Sequence, residues 1–254
     1  MGKLADRTAL VTGSSRGIGR ATAERLAREG ALVAVHYAVN ADAAEEVVRG
    51  IEAEGGRAFA VRSMFGEPGD VDRLFDGLER GLKERTGSAE LNILVNNAGI
   101  KSVQAPEEVT PEVFDEVIAV NAKAQFFVLQ RALGLLPDGG RVINISSGIT
   151  RFGNPQEVVY GMSKGAVEQL TFHFARHLGP RGITINSVVP GVTDNGTTPI
   201  FADPDIVAHI ANMSALKRVG QPADVADVVA FLATDDARWI TGAVLDASGG
   251  SLLG

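Results

Sequence analysis

The chain has 254 residues, 45% of them apolar and 22% charged, with a net charge of −7 and no cysteine. At about 150 residues per domain this makes one or two units, and α/β folds of this size often form one. The missing cysteines exclude disulfides, thiolate zinc and iron–sulfur clusters, and a sequence pI near 5.2 argues against a nucleic-acid partner.

Short β-branched runs alternate with stretches of helical period from one end to the other. A strand at Thr8–Thr12 leads into a helix at Gly17–Glu29, which stops at Gly30. A strand at Leu32–Val35 is followed by a helix at Ala41–Glu54, and a strand at Ala58–Val61 by a helix at Val71–Arg85. After the strand Leu91–Val95, Thr110-Pro111 caps a helix that runs toward Leu136. The strand Arg141–Ile145, the helix Pro155–Leu178 and the strand Thr184–Val189 come next. A helix after Pro222 reaches Ala233, and Ala243–Asp246 is the last strand. Such alternation predicts a single-domain, doubly wound parallel sheet of about seven strands, a Rossmann fold spanning residues 1–254. The rhythm breaks between about Gly191 and Gly220, and long irregular segments in compact domains are usually functional, here as a lid over substrate.

No apolar run approaches the roughly 18 residues a membrane span needs. Met1–Asp6 lacks a charged region followed by an apolar one, so a cytoplasmic chain is expected. The Asn-x-Ser/Thr matches at Asn144, Asn195 and Asn212 read as chance.

The first chemical signal is Thr12-Gly13-Ser14-Ser15-Arg16-Gly17-Ile18-Gly19, placed between the first strand and first helix. Gly13 allows a sharp turn, and Gly17 and Gly19 remove Cβ atoms where backbone meets a ligand or the sheet. The following helix N-terminus suits a pyrophosphate. A tight turn with no ligand is the alternative. An NAD site usually carries an acid at the end of the second strand. Here that end reads Val35-His36-Tyr37-Ala38-Val39-Asn40, so a cation at Arg16 and no carboxylate point to the 2′-phosphate of NADP(H).

The second signal is Tyr160 and Lys164, four apart on one helix face, with Ser147 just beyond the strand Arg141–Ile145. Ligands bind at such strand ends. Singly, each of these residues is ordinary. In order, Thr12–Gly19, Asn96–Gly99, Asn121, Ser147, Tyr160-x-x-x-Lys164, Pro190-Gly191, Trp239–Gly242 and Gly249-Gly250 resemble the short-chain dehydrogenase/reductase family over nearly the whole chain. The resemblance implies NAD(P)-dependent interconversion of carbonyl and alcohol. It makes Ser147, Tyr160 and Lys164 catalytic, with Lys164 also on the nicotinamide ribose and Asn121 anchoring a water that resupplies protons. Physically, Lys164 and oxidised nicotinamide would lower the tyrosine pKa from near 10. Cofactor contact is expected from Gly13, Ser15, Arg16, Gly17, Ile18, Gly19, Tyr37, Asn40, Met64, Phe65, Asn97, Ala98, Gly99, Pro190 and Val192 as well as Tyr160 and Lys164.

The chain departs from the family pattern at Met64, where an adenine-binding Asp is usual, and at Ala38, where a second cation is common. His173 and His177 have zinc-ligand spacing but no third ligand nearby, so no metal is expected. Phe152, Val158, Val192 and Phe201 are the candidate substrate residues. The segment from Val192 to Asn212 holds no Lys or Arg, which disfavours an anionic substrate and a carrier-protein landing patch there. Arg outnumbers Lys 18 to 6 and Ala is abundant, a composition typical of GC-rich genomes. The expected reaction is NADPH-dependent reduction of a ketone on an apolar substrate, and the chain is similar to ketoreductases that tailor aromatic polyketides of the angucyclinone type. Rival readings are a 3-oxoacyl-[acyl-carrier-protein] reductase, a steroid or sugar alcohol dehydrogenase, a Rossmann methyltransferase and a catalytically silent dinucleotide sensor. The resemblance also implies a homotetramer.

Overall fold

The computed structural model describes residues 2–196, 199–251 and 253. Thr197 and Thr198, within the expected lid, lie outside the described residues. Seven strands form one parallel sheet in the order β3-β2-β1-β4-β5-β6-β7. They are β1 Thr8–Val11, β2 Leu32–Tyr37, β3 Arg57–Arg62, β4 Ile93–Asn96, β5 Arg141–Ile145, β6 Thr184–Pro190 and β7 Val244–Ala247. Helices α1 (Gly17–Arg28), α2 (Ala41–Ala53) and α8 (Pro222–Ala233) cover one face. Helices α3 (Asp70–Thr86), α5 (Ala124–Ala132) and α6 (Val158–Leu178) cover the other. Two apolar clusters result, one around Val33, Val35 and Val229, the other around Leu94, Phe75 and Ile185. Buried on both sides, the strands read as the continuous apolar runs expected of a parallel sheet.

Strand order reverses between β1 and β4, and this switch point opens a crevice at the carboxyl ends of both. The glycine turn follows β1 and Asn97–Gly99 follow β4, so the two motifs meet there.

Three elements differ from expectation. The helix expected from Thr110 to Leu136 divides into α4 (Pro111–Ile118), a π turn at Ala119–Lys123 and α5. The π turn holds Asn121, whose side chain is drawn off the helix axis to bond Ile100 and Ser163. The helix expected from Pro155 starts instead at Val158, after one 3₁₀ turn capped by Asn154. β2 continues to Tyr37 because His36 and Tyr37 still pair with Val61 and Arg62 of β3. In the irregular stretch a short helix α7 (Pro204–Met213) appears, none of whose residues is buried. Its base is closed by a bridge between Thr193 and Gly220, and Ser214 Oγ donates to Gly249 O at 2.9 Å. Among the described residues, no helix is long and apolar enough to cross a membrane.

Candidate active site

The turn after β1 is bonded to the end of β4. Thr12 Oγ1 accepts from the N–H groups of Asn97 at 2.9 Å and Ala98 at 3.0 Å. Asn97 Nδ2 donates back to Thr12 O at 2.8 Å and Gly13 O at 3.1 Å. A Cβ at Gly19 would lie 2.3 Å from Gly13 O, and one at Gly13 would lie 2.9 Å from Ala98 Cα, where φ is +64°. These two glycines are therefore demanded by the turn's own closeness to β4. Gly17 is demanded by its left-handed backbone, φ +56°.

The turn fits a dinucleotide phosphate. The first turn of α1 has no side-chain cap from Arg16 and no acidic residue, as a helix start that takes a phosphate requires. Arg16 is the exposed N-cap residue and forms no ion pair among the described residues. Ser15 is half-buried beside it, and Ile18 packs onto the core. At the end of β2 Tyr37 is half-buried, while Asn40 Oδ1 caps α2 by accepting from Ala43 N at 3.0 Å. Met64 is half-buried after β3, at the edge of the same crevice. The ring of Phe65 is buried and stacks on His36, with centroids 4.7 Å apart. Pro190 closes β6 in the interior.

His36, on β2, holds the glycine turn in a way the sequence did not reveal. Its Nδ1 accepts from Gly13 N at 2.9 Å, and its Nε2 lies 2.9 Å from Ser63 O. Accepting at Nδ1 leaves the proton on Nε2 to serve that carbonyl, so both ring nitrogens are used only in the neutral form. Burial pushes its pKa down to about 4. Ser14 completes the knot, donating to Val11 O at 2.7 Å and accepting from His36 N at 3.0 Å. The one available signal was a histidine inside an otherwise apolar strand.

The Ser–Tyr–Lys group is assembled by β5 and α6. Ser147 follows β5 and caps a 3₁₀ turn at Gly148–Thr150, its Oγ accepting from Ile149 N at 3.3 Å. Lys164 is buried, with Nζ 2.8 Å from Ile145 O and 5.8 Å from the centroid of the Tyr160 ring. Burial lowers the Lys164 pKa to about 8. Tyr160 shifts upward. Its pKa lies above the ordinary phenol value, because burial outweighs the Ser147 hydrogen bond and the Glu157 carboxylate adds to the rise. The lowering expected from Lys164 together with oxidised nicotinamide concerns the cofactor-bound state; in the protein alone the cost of a buried phenolate dominates.

Asn121 is fully buried and braces the site. Its Oδ1 accepts from Ile100 N at 2.8 Å, and its Nδ2 donates to Ile100 O at 2.8 Å and Ser163 Oγ at 3.0 Å. Both amide protons are spent on protein, which ties the segment after β4 to α6. A Cβ at Gly99 would lie 3.2 Å from Asn121 Oδ1 and 3.5 Å from Lys164 Nζ, so the three converge. Phe152, Val158 and Val192 are exposed, and Phe201 is half-buried. One rim is clasped where Gln104 N donates to Gln156 O at 2.8 Å and Lys101 pairs with Glu157 at 2.9 Å. Among the described residues no three His, Cys, Asp or Glu side chains could share a metal; His173 and His177 lie exposed on α6.

A parallel sheet with this site at its switch point defines a dinucleotide-dependent oxidoreductase. Residues 13–251 match the family profile described as enoyl-(acyl carrier protein) reductase. The chain is 64% identical to the angucycline C-6 ketoreductase LanV with bound NADP (TM-score 0.97, covering 100% of this chain and 98% of that one). A second LanV structure, with NADP and rabelomycin, is 63% identical (TM-score 0.94, 100% and 99% covered). LugOII, a promiscuous reductase that catalyses keto-reduction at C1 during lugdunomycin biosynthesis, is 63% identical (TM-score 0.96, 98% and 99% covered). Versicolorin reductase stcU of Emericella nidulans is 40% identical over 263 residues (98% and 97% covered). The chain belongs to the short-chain dehydrogenase/reductase family.

His36 gives a pH test of the turn. Its pKa is about 4 in the folded protein against a reference value of 6.5, so the fold favours the neutral form. The stabilisation is complete above pH 6.5 and lost progressively from there down to about pH 4, about 3 kcal/mol in all. Urea unfolding followed from pH 7 to 4 should show a steeper loss for the wild type than for His36→Asn. Parallel curves would mean that His36 is not held neutral.

Proposed function

We infer that the protein reduces a ketone on an apolar, polycyclic aromatic polyketide to the secondary alcohol, using NADPH. The carrying observation is the convergence of Ser147, Tyr160 and Lys164, by the Ser147 hydrogen bond to Tyr160 and Lys164 Nζ 5.8 Å from the centroid of its ring; the exposed apolar side chains of Phe152, Val158 and Val192 supply the mouth in this reading. The segment over it, residues 191–220, serves as a substrate lid; α7 buries none of its side chains, as a movable cover requires. The absence of Lys and Arg from Val192 to Asn212 favours an apolar free substrate over a carrier-bound one. Whole-length similarity to LanV and LugOII supports the polycyclic substrate.

Ser147 donates a hydrogen bond to the ketone oxygen and stabilises the negative charge that develops there. Tyr160 passes its phenolic proton to that oxygen. Its raised pKa keeps it protonated at neutral pH, which is the form reduction consumes. Lys164, seated on Ile145 O, offers its charge to the phenolate left behind and holds the nicotinamide ribose. The water that reprotonates Tyr160 is held at the π turn around Asn121. Bound NADPH supplies the hydride. Arg16, with Tyr37 and Asn40, would hold the 2′-phosphate, the amides of Gly17, Ile18 and Gly19 would serve the pyrophosphate, and Met64 would pack on adenine.

The assembly is a homotetramer in the cytoplasm, where a reduced NADPH pool exists. Support comes from Phe127 of α5 and Met162 and Phe172 of α6, large apolar side chains exposed on neighbouring helices, and from Trp239, 95% exposed near the chain end.

Tyr160→Phe should retain NADPH affinity and lose turnover on a polycyclic ketone by roughly 10²–10⁴-fold; near-normal turnover would remove the tyrosine from the reaction. Arg16→Ala should weaken NADPH by about tenfold or more, roughly 1.4 kcal/mol, and leave NADH unchanged in a fluorescence titration. An equal effect on both cofactors would reduce Arg16 to a surface charge. Light scattering should give four times the 26.6 kDa chain mass, and a monomer would overturn the assembly.

A further inference from the structure

Glu168 lies one turn beyond Lys164 and two beyond Tyr160, on the same face of α6. Its side chain is only 7% exposed, and among the described residues its ion-pair partner is Arg151, itself 42% exposed. Its partners all belong to the loop after β5. Ser146 Oγ donates to Oε1 at 2.8 Å. Thr150 Oγ1 lies 2.8 Å from the same oxygen and 2.9 Å from Ser147 O, sharing one proton between them. Arg151 Nη2 donates to Oε2 at 2.9 Å. A carboxylate so far from water is tolerable only with its lone pairs met, and here three donors from one loop meet them.

The donors bracket Ser147 on both sides. Apart from its hydrogen bond to Tyr160, Ser147 is held, among the described residues, by bonds within its own 3₁₀ turn, to Ile149 and Thr150. A single 3₁₀ turn is weak and short. It cannot by itself fix an oxygen against a tyrosine on another element. The one rigid body that carries both Tyr160 and an anchor for the serine loop is α6, and the anchor is Glu168. Arg151 extends the same clamp to the residue before Phe152, at the mouth.

We propose that Glu168 is a positioning residue for the reduction: its buried carboxylate clamps residues 146–151 to α6 and so sets Ser147 Oγ against the Tyr160 hydroxyl. This rests on Ser147 and Tyr160 being the reacting pair. Glu168 touches no reacting atom. Its effect belongs to kcat, because a serine displaced by an ångström still admits ketone and cofactor but stabilises the developing oxyanion poorly.

The test compares Glu168→Ala, Glu168→Gln and Thr150→Val, with Ser147→Ala as control, measuring kcat and KM on one polycyclic ketone, the NADPH Kd and the melting temperature. Glu168→Ala should lose about tenfold to a hundredfold in kcat with the NADPH Kd within about twofold of wild type. Glu168→Gln should recover most of the loss, since its amide oxygen still accepts from Ser146 and Thr150. A folded Glu168→Ala protein with wild-type kcat overturns the proposal, and so does a loss seated in the NADPH Kd. Equal losses in the Ala and Gln variants also overturn it, because charge alone would then matter. Should Glu168→Ala not fold, Thr150→Val decides: it keeps the side-chain shape and removes one clamp donor, and an unchanged kcat refutes the clamp. If Ser147→Ala is fully active, the reading of the reacting pair fails instead, which separates the two failures.

Discussion

Helix α6 is laced to β5 and the loop after it by a row of polar contacts. Thr171 Oγ1 accepts from Asn144 Nδ2 at 3.0 Å, Glu168 takes Ser146 and Thr150, and Lys164 Nζ reaches Ile145 O. The spacing of these α6 residues keeps them on one face while β5 runs alongside. The row continues across the sheet: Asn96, Asn144 and Ser187 are register partners on β4, β5 and β6, and Asn96 bonds Asn144 at 3.0 Å while Thr171 bonds Ser187 at 2.7 Å. Polar groups in a dry interior are costly unless paired, and pairing fixes the register of what they join. Sliding α6 by one residue would break the whole row, so the helix carrying Tyr160 has one permitted position along β5.

The other wall of the crevice is built differently. Around the glycine turn there is no charged partner; Thr12, Ser14, His36 and Asn97 satisfy backbone groups that the sharp turn leaves over. The result is a backbone whose next N–H groups, at the start of α1, have nowhere to point but outward. Asn121 then joins the walls, bonding the segment after β4 on one side and Ser163 of α6 on the other. Its π turn is the distortion that lets one side chain reach both, and π turns commonly mark such sites.

Much of this was legible in the sequence. The strand–helix alternation, the glycine turn and the Tyr160–Lys164 spacing depend on local period and on glycine's lack of a Cβ, both visible in one dimension. The break at Asn121 was not, because it arises from bonds to Ile100 and Ser163 that are distant in sequence. His36 and Glu168 were missed for the same reason: each is an ordinary residue in its element until the fold buries it among donors. The upward shift of Tyr160 in the protein alone was not legible, because charge spacing can be read from a helix but desolvation cannot. The bounds of helix α7, within the irregular stretch, were not legible because it buries no side chain, and a helix without a buried face has little period to detect.

Desolvation shapes the proton transfer of the proposed reduction. In the resting protein both Tyr160 and Lys164 pay for burial, the one by holding its proton more tightly and the other by holding its charge less securely. Once the phenolic proton has left, the two become an ion pair in the same dry place, and attraction replaces two separate costs. The lysine therefore stabilises the state after proton transfer far more than the state before it. That is the condition for lowering a barrier rather than merely tightening binding.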